Sequence, residues 1–265
     1  MLCVVDHSVR GVTQLHDVVY VVCDRSSSIM RFNARTHQQL TEIVVKDLRR
    51  PRDIVACQQT SQLYVADNPS RDRCIWRVST DGTDIQRWLS KSPSDTFIPY
   101  SLSVTSTRLL VTSRHPHHQL IQFDSVGDEL IRVQLPDYME PHHAVQSPTG
   151  SFIVSLHNYQ LEQYQVVEVN NVGVVLRNFS DSRLSSLSLT ERVAVGSQGH
   201  IFVADYDNRC ILLLDSQLDL RRTIIDEHQL NNKVPYRLCY NEQSGQLLVG
   251  STYPGHVMVF DVLCC

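Results

Sequence analysis

With 265 residues, 33 of them Val and only 6 Ala, the chain can bury a large core and is biased toward β-branched side chains that suit a pleated surface. Its net charge of −4 excludes a global field that would draw it to nucleic acid or to a membrane surface. No stretch approaches the roughly 20 apolar residues a bilayer-spanning helix needs, and the eight cysteines form no C-x-x-C pair and no zinc-ligand ladder.

The chain opens on Met1-Leu2-Cys3-Val4-Val5-Asp6, which lacks a basic n-region and a long apolar h-region; this predicts no signal peptide. Leu2–Asp6 reads instead as an isolated strand. Thereafter a short apolar anchor recurs: Tyr20-Val21-Val22, Tyr64-Val65-Ala66-Asp67, Leu110-Val111-Thr112, Ile153-Val154-Ser155, Phe202-Val203-Ala204-Asp205 and Leu248-Val249-Gly250. Each anchor is followed by an apolar-then-polar dipeptide: Phe32-Asn33, Val78-Ser79, Phe123-Asp124, Val169-Asn170, Leu214-Asp215 and Phe260-Asp261. The dipeptides lie 46, 45, 46, 45 and 46 residues apart, whereas the distance from anchor Val to dipeptide varies from 11 to 15. A constant period with adjustable loops marks a repeat architecture.

Four short strands are legible in a typical repeat. In the second they are Asp53–Cys57, Gln62–Ala66, Cys74–Thr80 and Asp84–Leu89, with Asp81-Gly82 as a turn; in the fifth they are Arg192–Val195, His200–Ala204, Cys210–Asp215 and Leu220–Ile225. No helical periodicity is sustained. Four-stranded units in a row hide their faces and edges by closing radially. The sixth repeat ends at Phe260-Asp261-Val262-Leu263 without a fourth strand, and the isolated strand at the start supplies it. The prediction is therefore an all-β, six-bladed β-propeller of four-stranded antiparallel blades, its ring closed by the N-terminal strand in the last blade, as a single domain over 1–265. The cysteines, mostly inside predicted strands, read as reduced core thiols of a cytoplasmic protein.

The fifth repeat, Gly199-His200-Ile201-Phe202-Val203-Ala204-Asp205-Tyr206-Asp207-Asn208-Arg209-Cys210-Ile211, resembles the signature of NHL-repeat propellers. The second repeat matches more loosely, through Tyr64-Val65-Ala66-Asp67-Asn68 and Asp72-Arg73-Cys74-Ile75, and the Pro that opens such repeats stands at Pro51, Pro99, Pro141 and Pro235. The first and fifth repeats lack that Pro, and the third and fourth diverge. Tryptophan–aspartate and kelch propellers fit poorly, because neither Trp76 nor Trp88 precedes an Asp and double-glycine motifs are absent. The resemblance implies a recognition module like those of tripartite-motif ubiquitin ligases, some of which bind RNA and others proteins. It also implies that Asp67 and Asp205 accept backbone N–H groups in the turn that follows each.

In such a ring the segments entering the innermost strands and those leaving the second strands share one face. The first set holds Arg52, Tyr100, His142, Arg192, Tyr236 and Arg237; the second holds Arg71, Arg73, Arg114, the His115-Pro116-His117-His118 run, His157, Tyr159, Tyr164, Arg209 and Tyr253. Arg, Tyr and His on one face form a recognition surface for a protein or peptide, with Arg52, Tyr100, His142, His157, Tyr159, Arg192, Tyr236, Arg237 and Tyr253 as its binding residues. The expected molecule is a monomer without a cofactor, without catalytic activity and without DNA or membrane as partner. Single-stranded RNA on the same face is the alternative, favoured by 21 Arg against 3 Lys. The third reading is a metal-dependent lyase or hydrolase using His142 and His157, as peptidylglycine amidating lyases hold a metal on channel histidines. A calcium set of Glu140, Asn158 and Asp205 is a variant of it. The positions matching His142 in other repeats are Arg52, Tyr100 and Tyr236, which do not complete a ring of histidines.

Overall fold

A computed structural model describes residues 3–5, 7–69, 72–90, 98–114, 116–179, 190–252 and 254–262, with backbone alone at 3–5, 90, 190 and 191. Its strands form six four-stranded antiparallel sheets, and no helix occurs among the described residues. From the inside outward, blade one is Val9–Leu15, Val18–Cys23, Ser28–Asn33 and Gln39–Val44; blade two is Pro51–Cys57, Gln62–Asp67, Cys74–Ser79 and Ile85–Ser90. Blade three is Pro99–Thr105, Arg108–Ser113, Gln119–Phe123 and Glu129–Gln134; blade four is Met139–Gln146, Phe152–Asn158, Gln163–Val169 and Val175–Asn178. Blade five is Thr190–Val195, Ile201–Asp205, Cys210–Leu214 and Leu220–Ile225. Blade six has Pro235–Asn241, Gln246–Ser251 and Gly255–Asp261, and its outer strand is Cys3–Val5, with Cys3 opposite Val257 and Val5 opposite Gly255.

Innermost strands of successive blades lie side by side around the ring, and that of blade six returns to that of blade one. One apolar cluster fills each space between neighbours. Leu15, Tyr20 and Ile29 of blade one meet Ile54, Leu63 and Trp76 of blade two, and Val12 and Val19 of blade one meet Leu248 and Val257 of blade six. Since both faces of every sheet are buried, the second strands read as continuous apolar runs, and Ile201–Asp205 is buried at every residue. The outermost strands face water and turn polar, as in Gln39–Val44.

The recurring dipeptide has a physical cause. Its apolar member ends the third strand inside the inter-blade core, as Phe32, Val78, Phe123, Val169 and Leu214 do. Its polar member gathers the N–H groups of the next turn: Asp124 Oδ1 accepts from Val126, Gly127 and Asp128 at 2.9 Å each. Asn33 accepts from Arg35 and Thr36, and Asp215 from Gln217 and Asp219. Such side-chain acceptors supply what the tight turn cannot supply from its own backbone. Asp261 receives Gln246 Nε2 at 3.0 Å.

Candidate functional site

Every innermost strand carries a β-bulge near its start, at the second residue in five blades and at the fourth, His142, in blade four. The bulged residues are Arg10, Arg52, Tyr100, His142, Glu191 and Tyr236, one from each blade. A bulge leaves one residue out of the ladder and re-aims its side chain. Those described converge at one mouth of the channel: Arg10 Nη1 donates to Tyr236 Oη at 3.2 Å, and the Tyr100 and His142 rings lie 6.4 Å apart.

From Tyr100 a run of rings crosses blades three and four. His142 packs edge-on to Tyr164 at 5.5 Å, Tyr164 lies 4.6 Å from His157, and His157 lies 4.7 Å from Tyr159, which is 4.9-tenths exposed in relative terms, at 49%. Arg114 stacks over Tyr100 with its guanidinium carbon 3.3 Å from the ring centre, pairs with Glu140 at 3.2 Å, and donates to the Pro141 carbonyl. Across the mouth, Arg237 stacks on Tyr236 at 3.8 Å, Tyr206 approaches the same ring at 6.3 Å, and Arg10 pairs with Asp24 at 3.3 Å. Planar cations lying on aromatic faces are held in place by both charge and dispersion. Arg52 sits between these groups, half-buried; burial draws its guanidinium pKa down, Arg50 and Arg10 reinforce the shift, and Tyr100 and Tyr236 oppose it.

One residue further along each innermost strand lies a second tier: Gly11, Asp53, Ser101, His143, Arg192 and Arg237. This tier closes the channel. Arg192 of blade five forms a buried ion pair with Asp53 of blade two, on the opposite side of the ring. Asp53 also accepts from Ile54 N at 2.9 Å and from Leu102 N, in blade three, at 2.7 Å. His143 bridges its neighbours: Nε2 faces the Leu102 carbonyl at 3.2 Å, and Nδ1 faces the Val193 N–H at 3.4 Å. That pairing assigns the proton to Nε2 and leaves Nδ1 as acceptor. Burial, and next the charge of Arg192, hold the His143 pKa well below its ordinary 6.5. Arg237 donates to the carbonyls of Arg10, Arg52 and Tyr236. Arg192 and Arg237 were expected on the ligand face; they lie instead in this closing layer, 3% and 4% exposed, because the bulge shifts them one position deeper.

Below the closing layer the inward residues are small: Thr13, Val55, Ser103, Val145, Ala194 and Cys239 line a cavity of 580 Å3 that opens toward the opposite face. The mouth bearing the aromatic and cationic groups is thus separated from this chamber by the Asp53–Arg192 layer.

Among the expected binding residues, Arg52, Tyr100, His142 and Tyr236 share the mouth tier, and His157 and Tyr159 extend it along blade four. Tyr253, with Arg71 and His115, lies outside the described residues. Sequence reasoning missed Arg10 and Asp24, because the first repeat lacks the opening Pro that marked the inner strand elsewhere. It also missed Asp53 and His143, whose partners are distant in sequence. Among the described residues Asp67 accepts not from the turn after it but from Arg49 N at 3.2 Å, Arg50 N at 2.7 Å and Trp76 Nε1 at 3.3 Å, tying the incoming segment to its blade. Asp205 does serve its own turn, through Asn208 N and Nδ2. Burial pushes the Cys74 and Cys210 thiols, beside these two carboxylates, up to about 12.

The imagined calcium set is not assembled. Glu140 is engaged with Arg114, Asn158 caps Gln160 and Leu161, and Asp205 holds Asn208. Among the described residues, no three His, Cys, Asp or Glu side chains come together as metal ligands.

Neither a protein-family model nor a curated protein matches the chain. Solved structures do. Hydrazine synthase from Kuenenia stuttgartiensis superposes with a TM-score of 0.66 at 14% identity, over 95% of this chain and 83% of that one. Streptogramin B lyase gives 0.65 at 11% identity, over 98% and 85%, and virginiamycin B lyase from Staphylococcus aureus gives 0.64 at 11%, over 98% and 86%. A structure of a nidogen/laminin complex gives 0.66 at 14%, over 84% and 82%. At these identities the likeness establishes the β-propeller fold and nothing finer.

Proposed function

We propose that this chain is an NHL-like propeller that works without catalysis, as a scaffold that recognises a protein or peptide at the channel mouth. The observation that supports this most is the mixed character of the mouth. Arg10 and Arg114 are neutralised locally by Asp24 and Glu140, while exposed Tyr159 and partly exposed Tyr100 offer rigid amphipathic area. Aromatic and Arg anchors among paired charges suit a polypeptide. A nucleic-acid groove would instead gain from continuous positive charge. That a nidogen/laminin complex contains a propeller of this shape agrees with the reading without specifying a partner. The buried thiols Cys57, Cys74 and Cys210, none in a disulfide, agree with a reducing, cytoplasmic setting.

The test is selection from a displayed library of random peptides, followed by affinity measurement on the whole chain and on Tyr159→Ala. Selected peptides are expected to lose about tenfold in affinity for the variant. A random 20-nucleotide single-stranded RNA is titrated in parallel at two salt concentrations. Tight RNA binding that falls steeply with salt, with no peptide selected, overturns the proposal in favour of RNA. Peptides that bind Tyr159→Ala as tightly as the wild type also overturn it.

A further inference from the structure

Of the arginines at the mouth and in the layer beneath it, four have a carboxylate or carbonyl acceptor within the protein. Arg10 has Asp24 and Tyr236; Arg114 has Glu140 and the Pro141 carbonyl; Arg192 has Asp53; Arg237 has three backbone carbonyls. Arg52 differs. Its Nε is sealed from water, as are single nitrogens of several other arginines, but among the described residues neither a carboxylate nor a carbonyl accepts from any nitrogen of its guanidinium. Leaving a guanidinium half-desolvated and unpaired is unfavourable, since it gives up water without gaining an acceptor. Nothing in its own blade requires that arrangement: the Arg52 backbone carbonyl is the atom that Arg237 uses.

We infer that Arg52, with Arg10 beside it and the Tyr100 and Tyr236 phenols flanking it, is a receptor for an oxyanion, a carboxylate or phosphate carried by the polypeptide. The inference rests on the peptide-binding reading and names the chemistry it takes at its centre. A planar guanidinium matches either group through two parallel N–H···O contacts. The electrostatics agree, because burial and the like charges of Arg50 and Arg10 all disfavour the Arg52 cation, opposed only by the Tyr100 and Tyr236 phenols. An incoming anion replaces lost hydration and relieves that repulsion. The bulge that lifts Arg52 out of the ladder is what aims the group at the ligand rather than at a strand neighbour.

The test uses the whole chain and two fluorescein-labelled probes, hexaglutamate and a six-residue peptide alternating phosphoserine and glycine, read by anisotropy. The net charge of −4 works against unspecific attraction of either probe. Arg52→Gln is expected to weaken binding about tenfold or more. Arg52→Lys, which keeps the charge but not the fork, is expected to fall between. Arg35→Gln, an exposed arginine paired with Asp17 on the opposite side of blade one, is expected to bind like the wild type. Urea midpoints show that each variant is folded. Tighter binding of the phosphoserine probe identifies phosphate as the source, and equal or tighter binding of hexaglutamate identifies carboxylate; both support the inference. Equal affinity of Arg52→Gln and wild type overturns it, as does an equal loss in Arg35→Gln. If library-selected peptides weaken on Tyr159→Ala but not on Arg52→Gln, the peptide-binding reading stands and the oxyanion receptor falls. If no peptide binds, both fall.

Discussion

Replacing Asp53 should damage this protein far more than an average core substitution. The carboxylate accepts from three donors: Arg192 across the ring, the N–H of Ile54 and the N–H of Leu102 in the next blade. Asp53→Ala removes the carboxylate paired with the Arg192 guanidinium, a residue 3% exposed, and takes that acceptor from two backbone donors. Breaking a buried ion pair by removing one partner costs about 3–5 kcal/mol, and each orphaned donor adds to that end of the range. Arg192→Met removes the charge but leaves Asp53 its two N–H partners, so its loss should be smaller. The double variant should then lose less than the sum of the two, with a coupling of at least about 1 kcal/mol, because the uncompensated charge is gone. Equilibrium urea unfolding of all four proteins measures this, provided the dependence on denaturant is the same for each. An Asp53→Ala loss under about 1 kcal/mol, or a double variant that equals the sum, would refute the idea that this pair braces opposite blades.

Two further predictions concern the same layer. His143 is held neutral when folded, while the unfolded chain takes up its proton near 6.5, so the unfolded state binds more protons below that pH. Stability should therefore be full above about pH 6.5 and fall by up to about 1.4 kcal/mol per pH unit below it. In His143→Gln that component of the acid slope should vanish; identical slopes in the two proteins would show that the ring is not buried neutral. Gly11 occupies the tier position where any side chain would meet blade two, its added Cβ lying 2.5 Å from Ile54 N and 3.0 Å from the Asp53 carbonyl carbon. Since backbone must move, Gly11→Ala should cost about 1–3 kcal/mol, seen as a lower melting temperature; an unchanged melting temperature would mean that blades one and two are not in such close approach.

The candidate face was legible in part because one bulged position recurs at the start of the innermost strand of every blade. Tyr100, His142 and Tyr236 each follow the opening Pro of an inner strand, as does Arg52, so local pattern located all four. The bulge itself left no mark in composition, and this is why Arg192 and Arg237 were placed a tier too high. In blade five the residue at the mouth position is Glu191, one residue earlier.

What the amino-acid order determined by itself was the periodic part: six units, four strands in each, an apolar residue closing every third strand and an Asn, Asp or Ser opening most of the turns that follow. Those features depend on contacts within about 50 residues and on burial of both sheet faces, which periodicity records directly. Only the closed ring decided that Asp53 would meet Arg192, that His143 would sit between two foreign backbones, and that Arg52 would find no acceptor among the described residues. Those relations join residues from different blades, 139 positions apart in the case of the ion pair. No local pattern encodes them, because each partner's identity matters only once curvature has brought the innermost strands around a common axis.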